Sequence, residues 1–403
     1  MSRGGIQGFE TGRLSQILAA RRLSQAQLAA LVGVSPATIS KWRSGSQAPE
    51  RDALERLAGV VNVTPEWFTR APSAKVSLPL FRSNASAHVA ARAMLEARVE
   101  WAQDVALALS EFVDYPTLNL PTRHFTDPDE ITPDEIELAA SECRDLWRIG
   151  RTAVPDLALA IEGAGVILVR EETGISQIEG LSAWSAELDR PLVLLSADKD
   201  NGYRSRFDLA HELGHLILHR HIPRPTERER HKQLEQQAHR FAGAFLLPAE
   251  TFANEVRTPV TLDDLLLLKR RWGVSVAAIV MRLRALKIVD DDGAQLLFKR
   301  RSARWGAKSE PGDGDRTPER PRLLRRTIDL LVEENVMPLD SIPRHIGLAA
   351  FDIEMLAGLP EGYFHGKPNV VQLARLRPAA GHSTNSVTPE GNTVVPFRFA
   401  PKR

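Results

Sequence analysis

Residues 203–219 read YRSRFDLAHELGHLILH, and this stretch decides much of what the rest of the chain can be. It has no proline and one glycine, Gly214. Wound as a helix at about 100° per residue, it puts Leu209, Leu213 and Leu216 on one side. Asp208, His211, His215 and His219 fall on the other side, with Glu212 at the edge. Two imidazoles four residues apart can turn ring nitrogens toward one ion, and Glu212 sits beside them to take a proton from water. The competing reading is a polar helix face with incidental histidines. The separation of leucines from ligand-type residues argues against it.

Such a site needs a third protein ligand and an open position for water. Glu227, Glu229, His231, Glu235 and His239 are the candidates downstream. Glu227 and Glu229 read as part of a solvated charge run, TERERHK. Glu235 is expected to be the ligand, because it opens LEQQAHRFAGAFLLP, a helical stretch ended by Pro248. In it Ala238 and Ala242 leave room for a close helix crossing, while Phe241 and Phe245 face a core. His239, one turn on, is the second choice of ligand or a partner that orients one, and Asp208 and His219 either orient ligands or are structural. Zn2+ is the expected ion, although manganese or iron suits the same donors.

Upstream, SQAQLAALVGVSPATISKWRSGSQAP occupies residues 24–49. Ser24 can cap a helix over Gln25–Leu31, Gly33 can take the left-handed turn, and Ser35 with Pro36 can start a second helix. Leu28, Leu31, Val34, Ile39 and Trp42 are expected to face inward, and Ala29 lets the helices cross closely. Pro36, Ala37, Thr38, Ser40 and Lys41 would then face a major groove, with Gln25, Arg43 and Ser44 near phosphates. Residues 1–70 carry nine Lys/Arg against five Asp/Glu, the sign that a DNA partner needs.

The 403 residues suit two or three domains, and 43% hydrophobic with 26% charged residues is an ordinary globular balance. The single cysteine, Cys143, excludes an intrachain disulfide and a Cys-rich metal site. No apolar run is long enough for a bilayer, and residues 1–13 lack a signal-peptide core, so a cytoplasmic protein is expected. The expected boundaries are 1–70 for the first domain, 71–145 for a linker and helical connection, and 146–307 for the domain around His211. A linker over 308–321, a helical segment over 322–366 and a disordered tail over 367–403 follow. Strands are expected at Val166–Val169 and Pro191–Leu195, and helices near 86–112, 261–271 and 275–286. The segment 322–358 reads as core-forming helices more than as another DNA-binding unit. No internal repeat is evident.

Two resemblances follow from these stretches. Residues 24–49, with LERLAGVVNV and TPEWF after them, resemble the Cro/repressor (XRE) family. RSRFDLAHELGHLILHR, LEQQAHRFAGAFLLPAETF and LKRRWGVSVAAIVMRLRAL resemble the ImmA/IrrE metallopeptidases, which commonly carry Asn or Asp where this chain has His239. Together they imply a multi-domain protein: an all-α helix-turn-helix domain, an α+β zincin-like metallopeptidase domain and a C-terminal helical segment. They also imply zinc on His211, His215 and Glu235, Glu212 as general base, and a DNA-binding regulator that cleaves a repressor or partner protein. Double-stranded operator DNA, a protein substrate and a second copy in a homodimer are the implied partners. The alternative is a transcription factor or antitoxin-like regulator whose zinc domain only senses or dimerises.

Overall fold

The computed structural model describes residues 5–77, 89–174, 179–223, 227–306 and 308–365. The disorder expected for 367–403 lies outside them.

The chain begins with α1 (Thr11–Ala20), α2 (Gln25–Val32), α3 (Pro36–Ser44) and α4 (Arg51–Val61). The Ser24 hydroxyl accepts from the Gln27 backbone N–H while the Gln27 side chain accepts from that of Ser24, closing both ends of a capping box. Gly33 turns the chain at φ 76°, and Ser35 caps α3 by accepting from the Thr38 N–H. Leu28, Ala29, Ile39 and Trp42 are buried, and Val34 is half-buried. Leu31, expected inward, is 57% exposed. Val32, four residues after Leu28 and so stacked with it on one helix face, is buried in its place.

The long helix α5 (Val89–Ser110) lies against α1, with Arg13 paired to Asp104 and Trp101 fully buried. After α6 (Pro133–Leu146) and α7 (Leu157–Gly163) comes a three-stranded sheet of β1 (Ile167–Glu171), β2 (Gly180–Ser185) and β3 (Arg190–Ser196). Its order is β1-β3-β2, with β1 parallel and β2 antiparallel to β3. Alternation along the strands divides the interior. Ile167, Val169, Leu181, Leu192 and Leu194 join the core built on α5 and the N-terminal helices, whereas Leu168, Val193 and Leu195 join the core of the helices that follow.

Those helices are α8 (Gly202–Leu218), α9 (Arg228–Leu246), α10 (Ala249–Phe252), α11 (Leu262–Trp272), α12 (Val276–Ala285) and α13 (Asp291–Trp305). α8 and α9 cross where Gly214 meets Ala238: a Cβ on Gly214 would lie 3.2 Å from the Ala238 Cα. The segment α14 (Leu323–Glu333), α15 (Ile342–Ile346) and α16 (Ala350–Ala357) packs back on α5 and β1, burying Ile328, Ile353 and Leu356.

Two features were not foreseen. Residues 33–39, GVSPATI, recur as GVSVAAI at 273–279. The second copy builds the same corner: Gly273 has φ 70°, Ser275 caps α12 by accepting from the Ala278 N–H, and Ile279 is fully buried like Ile39. The surroundings differ. The N–H groups of Val276 and Ala277 donate to the buried Glu310 carboxylate, which also binds Lys269 and Arg301. A buried string of charges is the second feature. Arg21 binds Asp352, Asp352 binds Arg98, and Arg98 binds Glu171.

Candidate metal centre and DNA-facing helix

The crossing of α8 and α9 brings His211, His215 and Glu235 together. His211 Nε2 and His215 Nε2 lie 3.0 Å apart, and the Glu235 carboxylate oxygens lie 3.5 Å from each. Donors bonded at about 2.0–2.1 Å to one tetrahedral ion stand about 3.3 Å from one another. The spacing here therefore fits a shared cation. A ligand atom from each of His211, Glu235 and His239 also lies within 4.8 Å of the others. His239 is thus beside the set, with its Nδ1 donating to the Glu235 carbonyl at 2.6 Å.

Glu212 is 6% exposed and does not join the three donors. Its Oε2 and the Nδ1 of His211 are buried without a hydrogen-bond partner. Burial pushes the Glu212 carboxyl up to about 7, against the lowering pull of His215 and the Ser182 hydroxyl. β2 starts alongside it: a Cβ on Gly180 would stand 3.2 Å from the Glu212 Cγ. Side-chain-free backbone at residue 180 is what lets the strand come so close.

At the other end of the chain, α3 projects Pro36, Ala37, Ser40, Lys41, Arg43 and Ser44 into solvent, with Thr38 and Gln25 half-exposed. The Thr38 hydroxyl is 2.9 Å from that of Ser35, so both sit at the helix N-terminus that faces outward.

Comparison with protein families agrees with both geometries. Residues 14–68 match the helix-turn-helix family model, and residues 161–284 match the model described as IrrE N-terminal-like domain. The chain joins an XRE-type helix-turn-helix domain to an ImmA/IrrE-type domain. No curated protein matches the chain in sequence. The first domain is of a DNA-binding kind and the second is protease-like. Among the described residues no helix is long and apolar enough to cross a membrane.

Other residues of the ImmA/IrrE-type domain take distinct places. Asp208 lies in a small polar cleft with Glu179, Lys199 and Arg204, and burial with the nearby Glu179 raises its carboxyl well above the usual range. Tyr203 and His219 are the side chains of oxyanion-donor type at the two ends of α8, and Tyr203 packs beneath Lys269 and Arg316. It sits two turns before His211, about 12 Å along the helix axis at 1.5 Å per residue. His219, the other such candidate, is 2% exposed with both ring nitrogens engaged, by His215 at 2.9 Å and Gln237 at 3.1 Å. Burial lowers its pKa well below the usual histidine value. Neither can reach out to a developing charge. Sequence reading missed Gln237 and Ser182, for which no motif position gave a signal. It also missed the neighbour of β2: the Ser77 N–H donates to the Trp184 carbonyl at 2.9 Å, so the connector after the helix-turn-helix domain already covers that end of the edge strand.

Proposed function

We propose that the ImmA/IrrE-type domain is a zinc-dependent endopeptidase acting on a protein partner, and that the helix-turn-helix domain carries it to DNA. The observation that supports this best is the convergence of His211, His215 and Glu235 beside a fourth group, Glu212, whose Oε2 has no partner. Zinc held by those three would supply Lewis acidity toward water and a peptide carbonyl. Glu212 Oε2 would take the proton of the attacking water and return it to the leaving amine, a role open to it because that buried oxygen has no hydrogen-bond partner. An extended substrate would pair along β2 from Gly180 to Ala183, short of the edge that Ser77 covers. The substrate is a repressor or another copy of this chain. Two copies would place α3 in successive major grooves, with Thr38, Ser40 and Lys41 on base edges and Gln25, Arg43 and Ser44 on phosphates.

Elemental analysis of the full chain should find zinc, in the wild type and in Glu212→Gln alike. Incubated alone or with candidate repressors, Glu212→Gln should cut about 10²–10⁴-fold more slowly. Cleavage at the wild-type rate would refute the assignment of Glu212.

A further inference from the structure

We infer that Gln237 and His219 fix the tautomer of His215, so that its Nε2 presents a lone pair and not a proton to the metal position. The inference rests on the proposed reading of that position as a metal centre.

The order of protons can be followed from the backbone inward. Gln237 is 7% exposed, and its Nε2 lies 2.7 Å from the Pro128 carbonyl and 3.3 Å from the Ile131 carbonyl. Only the amide NH2 can satisfy two carbonyl oxygens, so the amide orientation is forced. Its Oε1 therefore faces His219 Nε2, and an amide oxygen only accepts. His219 Nε2 must carry hydrogen. His219 is 2% exposed and its ring nitrogens meet only the Gln237 amide and the His215 ring, so burial disfavours a second proton and its Nδ1 is a bare acceptor. That Nδ1 is 2.9 Å from His215 Nδ1, which must then donate. His215 Nε2 is left bare, 3.0 Å from His211 Nε2 and 3.5 Å from Glu235 Oε1.

A metal-bound imidazole usually donates its second N–H to a carboxylate, a carbonyl or water. Here the acceptor is a second neutral imidazole, which can itself flip. Gln237 prevents the flip, and Pro128 and Ile131, just before α6, hold Gln237. His211 has no such chain, since its Nδ1 is buried without a partner. Without the Gln237 amide, His219 is free to carry its proton on Nδ1. Two N–H groups would then meet, and His215 would have to protonate Nε2 and lose its ligand atom.

The test uses the full chain. In metal-free protein, nitrogen NMR of labelled histidines should show His215 protonated on Nδ1 and His219 on Nε2. The opposite tautomer on His215 would overturn the inference. Zinc affinity by chelator competition should fall about 10–100-fold in Gln237→Leu, with the fold checked by circular dichroism. An unchanged affinity in a folded variant would also overturn it. If Gln237→Leu does not fold, His219→Gln and His219→Leu replace it. Only the first keeps an acceptor for the His215 N–H, so it should hold zinc about tenfold more tightly or better, on the same scale of outer-partner effects. Equal affinities would count against the inference. A wild type that takes up no zinc would fail the metal reading, while the NMR tautomers would still decide this one.

Discussion

The corners at 33–39 and 273–279 share glycine, valine, serine, alanine and isoleucine in the same order, yet one presents its second helix to solvent and the other buries it. In α3, Pro36, Ala37, Ser40 and Lys41 are exposed; in α12, Val276 and Val280 are fully buried and only Met281 and Arg284 stand clear. The N-terminus of α3 is open, whereas that of α12 is filled by the Glu310 carboxylate. A turn sequence thus specifies how two helices cross and says nothing of what covers the second one. That is decided by residues far away, and a helix N-terminus that meets a protein carboxylate is no longer free to meet a phosphate.

The contrast can be broken most directly at Glu310. Glu310→Gln would remove the charge shared by the buried Lys269 and Arg301, leaving Lys269 its Asp313 and Pro311 contacts, and should lower stability by about 3 kcal/mol in urea unfolding, with DNA affinity unchanged. A loss below about 1 kcal/mol would show that the plug on α12 is incidental. The two glycines sharpen the likeness. Gly33→Ala and Gly273→Ala should each cost about 1–2 kcal/mol, the strain of a side chain in the left-handed region. The added Cβ meets nothing within 4 Å at Gly33 and the Arg316 guanidinium at 3.1 Å at Gly273. The excess at Gly273 should be small, because that guanidinium ends a flexible chain. Ser35→Ala and Ser275→Ala should each cost about 1 kcal/mol, and a loss at one site only would deny that the corners are equivalent. The smallest change in stability, within about 0.5 kcal/mol, is expected for Lys41→Ala and Arg43→Ala. Each should instead lower the salt dependence of binding to a random-sequence duplex by about one unit, because one phosphate is no longer neutralised.

The cluster of His211, His215 and Glu235 was legible because its chemistry is local. A spacing of four puts His211 and His215 on one face, and small residues at Ala238 and Ala242 announce a crossing. The helix-turn-helix corner was legible because caps and a glycine act within a few residues. What stayed hidden depends on pairs distant in sequence. Glu310 lies in a stretch of prolines, glycines and charges that composition reads as a linker, and its carboxylate is buried. Gln237 matters through carbonyls more than 100 residues earlier. α13 has a polar first turn with Gly293 in it, and it begins because Asp290 caps it. The second corner was overlooked because seven residues separated by most of the chain do not make a visible repeat.

The string Arg21–Asp352–Arg98–Glu171 alternates in sign and takes one member each from the end of α1, from α16, from α5 and from β1. Its two cations and two anions cancel, and removing one leaves an opposite charge in excess where water does not reach. The helix-turn-helix unit is therefore not a bead that could be exchanged for a foreign one by recombination alone. A newcomer lacking an arginine in the place of Arg21 would be tolerated only if Asp352 changed along with it, since Arg98 and Glu171 then balance each other.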